Sequence, residues 1–168
     1  HIMEVEGEKG VYFAVWAPSA KSVSVIGDFN YWMEGEHALN VRWDESGIWE
    51  GFIPGVQKGA KYKYKIHSNN NDMKLEKADP YALKCEHPPN TASIVWELDY
   101  KWKDKKYMSS RKDKNGLDNA YSVYEVHLGS WRKNMDENRS LTYVEMADEL
   151  VSYVKEIGFT HVEFMPIM

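Results

Sequence analysis

Gly10-Val11-Tyr12-Phe13-Ala14-Val15-Trp16 is a period-two run closed by Ala17-Pro18, which predicts a strand with one buried face. The same pattern recurs outward from it. Ser22-Val23-Ser24-Val25-Ile26 alternates and turns at Gly27-Asp28. Gly47-Ile48-Trp49-Glu50-Gly51-Phe52-Ile53 stops at Pro54-Gly55. Tyr62, Tyr64 and Ile66 face one way, while Lys61, Lys63, Lys65 and His67 face the other. Ser93-Ile94-Val95-Trp96 makes a last short strand. Short strands at roughly ten-residue spacing, with turn signals between them, predict an antiparallel β-sandwich of immunoglobulin-like type over residues 1–100.

The tetrad Asn69-Asn70-Asn71-Asp72 suits a tight turn, because these residues tolerate left-handed geometry, rather than a calcium loop. Residues 101–120 form a connector, with lysines broken by Asp104 and Asp113 and little apolar periodicity. The pattern then changes. Tyr124-Glu125-Val126-His127-Leu128-Gly129-Ser130-Trp131-Arg132 reads as a buried strand opening into a loop. Thr142 and Glu145 make a capping box, with Leu141 and Met146 at the staple positions. Ala147, Leu150, Val151, Val154 and Ile157 form one helical apolar stripe, and Gly158 stops it. Residues 160–167 predict a second buried strand, ended near Pro166. A right-handed crossover makes the two strands parallel. Parallel sheets are covered on both faces, so this unit predicts the start of a (β/α)₈ barrel, which takes about 250 residues. Residues 121–168 supply its first strand, first helix and second strand.

Composition narrows the function classes. The net charge of −5 argues against nucleic acid. No apolar run is long enough for a membrane span, and no signal peptide is present. The single cysteine, Cys85, excludes an internal disulfide and fits a reducing, cytoplasmic setting. Six histidines lie singly, without metal-site spacing, and no metal or cofactor residue is assigned. Seven Trp and eleven Tyr are many for 168 residues. Flat rings suit sugar faces, and they also fill a thin sandwich core.

Phe13-Ala14-Val15-Trp16-Ala17-Pro18-Ser19-Ala20, followed by Val23-Ser24-Val25-Ile26-Gly27-Asp28-Phe29-Asn30-Tyr31-Trp32, resembles the family-48 carbohydrate-binding modules. These precede the barrel in α-amylase-superfamily enzymes acting on α-glucans. Ser46-Gly47-Ile48-Trp49-Glu50, Tyr62-Lys63-Tyr64 and Asp79-Pro80-Tyr81-Ala82 continue the match in order. Residues 124–132, and the run from Gly158 to Ile167, are similar to the first and second barrel strands of the glycogen (1,4-α-glucan) branching enzymes.

The resemblance implies that the chain is the N-terminal part of an enzyme that moves an α-1,4-glucan segment to a 6-hydroxyl. Its partners would be α-glucan (glycogen, maltooligosaccharides) and the remaining barrel of the same protein. That chemistry needs two carboxyls about 5 Å apart, which the family carries on later barrel strands. No catalytic residue is therefore assigned: Glu125 and Glu163 are taken as buried, structurally paired acids, and His127 as a packed one. By the same resemblance Trp32 is the stacking platform for glucan and Lys63 a hydroxyl donor, with packing against the barrel as the alternative for Trp32. The related modules carry a second Trp before their Asp-Pro, and the loop 69–77 here holds no aromatic. Phe29, Trp16 and Trp49 are assigned to sandwich packing. A stand-alone glycogen-binding module and the N-terminal part of a debranching hydrolase are the competing possibilities.

Overall fold

The computed structural model describes residues 1–167. Met168, the last residue of the expected barrel segment, lies outside the described residues. The chain forms two compact units, His1–Lys101 and a second beginning at Trp102.

The first unit consists of β1 (Ile2–Val5), β2 (Glu8–Trp16), β3 (Ala20–Gly27), β4 (Asn40–Val41), β5 (Ile48–Pro54), β6 (Lys61–Ser68), β7 (Lys74–Lys77), β8 (Lys84–Cys85) and β9 (Ser93–Ile94). They form two sheets. One has the order β1-β2-β5-β4; the other runs β3-β6-β9-β8, with β7 also paired to β6. Alternation along β2 and β5 sets Val11 opposite Ile53 and Val15 opposite Trp49. These side chains meet Val23, Val25, Tyr62 and Tyr64 of the other sheet in one core, which makes the unit a β-sandwich. Each fully buried Val or Phe here contributes roughly 1.5–3 kcal/mol.

Four strands carry no legible alternation and are visible only by their partners: β1, β4, β7 and β8. Ile2 and Met3, at the very start, pair with Val11 and Gly10 and belong to the sheet. The last strand is shorter than its sequence pattern, Ser93–Ile94 instead of residues 93–96. The turn at 69–72 is as expected, with Asn71 and Asp72 both left-handed.

The second unit begins with α1 (Lys105–Lys114), where the sequence predicts only a solvated connector. No residue of α1 is buried. Its end is held by the Asn119 side chain, whose Nδ2 donates to the carbonyls of Asp113 (2.6 Å) and Lys114 (3.2 Å). Arg111, Lys112 and Lys114 in the last turn complement the helix dipole. Then come β10 (Val123–Val126), α2 (Leu128–Trp131), β11 (Lys133–Asn134), β12 (Arg139–Ser140), α3 (Tyr143–Glu156) and β13 (His161–Phe164). β10 and β13 pair in parallel, Val123 opposite His161 through Val126 opposite Phe164. Just before the two strands, Thr160 and Ser122 exchange hydrogen bonds of 2.9 and 3.0 Å, which hold the register.

The capping box forms as expected. The Glu145 amide donates to Thr142 Oγ1, and the Glu145 carboxylate accepts from the Thr142 amide at 2.7 Å. Arg139 adds a bidentate pair to Glu145, two bonds of 2.8 Å, and holds its carboxyl well below the usual range. Thr142→Ala is expected to cost about 1 kcal/mol of α3 stability, read as faster amide exchange in residues 143–147; unchanged exchange would refute the cap's role. The apolar stripe is narrower than its pattern: Met146, Leu150 and Val154 are buried, whereas Val151 and Ile157 are exposed. The expectation of two buried strands is corrected as well. All of β13 is exposed, and in β10 only Val126 is buried. Two strands under one helix give α3 a single row of partners, and the second apolar row stays in solvent.

Candidate functional site

Trp32 sits at the end of β3, on a loop built around Asn30. Asn30 is 1% exposed. Its Oδ1 accepts from the Gly27 amide at 2.8 Å, and its Nδ2 donates to the Val25 carbonyl at 2.8 Å and meets His37 Nδ1 at 2.9 Å. Buried amides demand such partners, so this side chain ties strand, turn and return segment together. After the short helical turn Asp28–Asn30, Tyr31 and Trp32 both adopt left-handed backbone, at φ 53° and 61°. The Trp32 amide then donates to the Gly27 carbonyl at 2.9 Å. The result turns the Trp32 indole outward, 39% exposed, with Tyr31 almost fully in solvent.

Lys63 arrives from β6. β3 and β6 pair antiparallel, with Gly27 opposite Tyr62 and Ile26 opposite Lys63. Tyr62 and Tyr64 point into the core, so Lys63 lies on the outer face. The rung that carries Lys63 is next to the rung whose carbonyl anchors Trp32. Two residues 31 positions apart in sequence thus reach the same end of one sheet. Glu34 of the Trp32 loop reaches across that face to Lys74 of β7 (3.1 Å), and the Gly35 amide bonds Ser24 Oγ at 3.4 Å. Lys74 belongs to the loop 69–77, which holds no aromatic side chain. Beside it Asp72 is paired with Lys21 and with His67 (2.9 Å). On the same rung end, Lys61 bonds Glu86 at 2.8 Å and holds that carboxyl below its usual range.

The assignment of Trp16 to sandwich packing is corrected: it is 69% exposed. Val11, Phe13 and Val15 occupy the inward phase of β2, so Tyr12, Ala14 and Trp16 fall in the outward phase. The alternation carried that signal. Trp49, paired with Val15, packs against the core as expected and donates Nε1 to the Ala17 carbonyl at 3.0 Å. Phe29 also packs against the core, edge-on to His37. Trp43, unassigned from sequence, is 92% exposed in the turn before β5.

A cleft of about 390 Å³ opens between the sheets beside Asp79 and Tyr81. Its carboxylate is already engaged: Asp79 Oδ2 accepts from Tyr62 (2.7 Å) and Tyr64 (3.3 Å), and Oδ1 from the Tyr81 amide (2.8 Å). Burial first, then Asp79, push both phenols far above their ordinary pKa. In the second unit, Glu125 and Glu163 are register partners and are exposed, which corrects their reading as buried acids. His127 is likewise exposed, with Nδ1 2.7 Å from Ser130 Oγ. Among the described residues no group of three His, Cys, Asp or Glu side chains could hold a metal ion, and no helix is long and apolar enough to cross a membrane.

Residues 2–82 match the family model of carbohydrate-binding module 48 (isoamylase N-terminal domain). The whole chain is 51% identical over 169 aligned residues to 1,4-alpha-glucan branching enzyme GlgB of Aquifex aeolicus. Over 163 residues it is 50% identical to the protein of the same name from Albidiferax ferrireducens, with 97% of this chain covered. It spans 26% of each of those relatives. Among solved structures, pullulanase PulA of Klebsiella oxytoca shares the fold with a TM-score of 0.68 at 22% identity, over 99% of this chain and 17% of that one. A Klebsiella pneumoniae pullulanase complexed with maltotriose gives 0.66 at 24%, over 95% and 17%.

Proposed function

The first unit of this chain belongs to the carbohydrate-binding module 48 family, and on that premise we propose that the chain is the N-terminal part of a 1,4-α-glucan branching enzyme, holding α-glucan through Trp32 and Lys63. The observation that carries this is the likeness to branching enzymes at about half identity in alignments that cover 97–100% of the chain. The likeness to pullulanases lies at 22–24%. Branching is therefore favoured over debranching, and a module serving alone would leave the second unit without a role.

A glucose ring presents an apolar face of axial C–H groups and a rim of hydroxyls, and burying those hydroxyls without partners costs free energy. The Trp32 indole, fixed by the Asn30-centred loop, supplies a plane for the first, and the Lys63 ammonium donates to the second. With no aromatic in the loop 69–77, this is a one-platform surface, suited to weak, repeated contacts along a polymer. The second unit is proposed as the opening of a (β/α)₈ barrel. Its parallel strand pair, its crossover helix and the apolar groove of about 260 Å³ bounded by Leu128, Met146, Leu150 and Phe164 support this. In that scheme the two carboxyls of a retaining mechanism are supplied by later strands, and this chain contributes substrate holding in a cytoplasmic setting.

Affinity electrophoresis through glycogen-containing gels tests the binding role. Trp32→Ala is expected to weaken retardation about tenfold and Lys63→Ala about threefold, with melting temperatures near that of the unaltered chain. Wild-type retardation by both variants would overturn the assignment of this surface.

A further inference from the structure

The outer face of the other sheet carries side chains that the Trp32 surface does not use. Trp16 closes β2 in the outward phase, and its indole is fixed: Nε1 donates to the Ser46 carbonyl at 2.9 Å. With that edge satisfied, the ring faces remain in solvent. Ile48 is its cross-strand partner. The Arg42 amide donates to the Ile48 carbonyl at 2.8 Å, which puts Arg42 on the same row. The Arg42 guanidinium grips both oxygens of the Glu50 carboxylate, Nε at 3.0 Å from Oε1. That fork holds Glu50 below the usual carboxylate range. Tyr12, two outward positions from Trp16 along β2, has its phenol pushed up by burial and then by Glu50.

We propose that this face, centred on Trp16 and the Arg42–Glu50 fork with Tyr12 beside it, is a second α-glucan-binding surface, distinct from the Trp32 surface. It rests on the glucan-binding function proposed above. The chemistry matches a pyranose on both counts. An exposed indole plane meets the axial C–H face, and a planar donor–acceptor fork next to it meets vicinal hydroxyls. Both are fixed by protein contacts before any ligand arrives, so little ordering is needed on binding.

Trp16 closes β2 in the outward phase of one sheet, whereas Trp32 lies on the loop that follows β3 of the other. The two surfaces are built on different sheets and take separate chains, or separate stretches of one branched polymer. Two such contacts raise apparent affinity for a polymer beyond either alone.

The test uses the 168-residue chain, with glycogen in affinity gels and maltoheptaose in calorimetry. Trp16→Ser is expected to weaken glycogen retardation about tenfold and to reduce the maltoheptaose stoichiometry from about two to about one. Arg42→Lys keeps the charge, loses the fork and leaves Trp16 in place; it is expected to weaken retardation about threefold, and it decides the matter if Trp16→Ser melts early. Wild-type retardation and stoichiometry in both variants, alongside a loss in Trp32→Ala, would overturn this surface alone. A wild-type chain that glycogen does not retard would overturn the glucan-binding function itself and this surface with it.

Discussion

Asp79→Ala is expected to lower the unfolding free energy of the first unit by about 3 kcal/mol. Among the described residues, Asp79 is the one acceptor for the Tyr62 hydroxyl, at 2.7 Å, and Tyr62 is buried. Removing the carboxylate leaves that hydroxyl unpaired in the core, and a lost bond to a charged group costs more than a neutral one. Tyr64, 1% exposed, is less affected, since its hydroxyl also reaches the Ala14 carbonyl at 3.1 Å. The strained party is therefore Tyr62, whose ring packs edge-on against Phe13 at 4.9 Å. For a unit of this size the loss corresponds to a melting temperature lower by at least ~10 °C, measurable by near-ultraviolet circular dichroism. Asp79→Asn, which keeps a carbonyl acceptor, should lose clearly less. Equal melting of Asp79→Ala and the unaltered chain would refute this account of the tyrosine pair.

Gly27→Ala should be comparably severe and should also reach the Trp32 surface. A Cβ at this position would lie 2.3 Å from the Lys61 carbonyl oxygen and 2.7 Å from Phe29 Cε1. The backbone of Gly27 is extended, at φ −176°, so the difficulty is contact and not conformation. Backbone oxygen cannot step aside as a flexible side chain can, and the β3–β6 rung at Gly27–Tyr62 has to open. Overpacking of this kind costs about 3 kcal/mol at its upper end. Because the Gly27 carbonyl anchors the Trp32 amide, glycogen retardation should fall together with the melting temperature, although no ligand-facing side chain is altered. A Gly27→Ala chain that melts and binds as before would show that the rung tolerates a methyl group and that Trp32 is placed independently of it.

These two positions mark how far the sequence could be read. Gly27 is legible as a turn residue, but the reason only glycine fits is the Lys61 carbonyl, 34 positions away. Asp79 is visible as part of Asp79-Pro80-Tyr81-Ala82, yet its role depends on two phenols from β6. Asn30 stands in Phe29-Asn30-Tyr31-Trp32, and only its buried hydrogen bonds reveal it as the organiser of the loop. The short strands β1, β4, β7 and β8 lack alternation because two to four residues cannot express a period. α1 has no apolar face, so no periodicity announces it; its far end is held by Asn119 and charge placement.

What the sequence by itself determined is local: the alternation that makes β2, β3, β5 and β6 strands, the capping box and stop of α3, and the motifs that name Trp32 and Lys63. Such features are set by neighbours a few residues away, through backbone sterics, side-chain period and caps. The tertiary structure alone decided which strands are neighbours, and therefore that Trp32 and Lys63 share one sheet end, that Trp16 faces solvent beside Arg42 and Glu50, and that half of the α3 stripe and all of β13 stay exposed. Burial is a property of what lies across the interface, and strand pairing joins residues tens of positions apart. No local pattern carries that information.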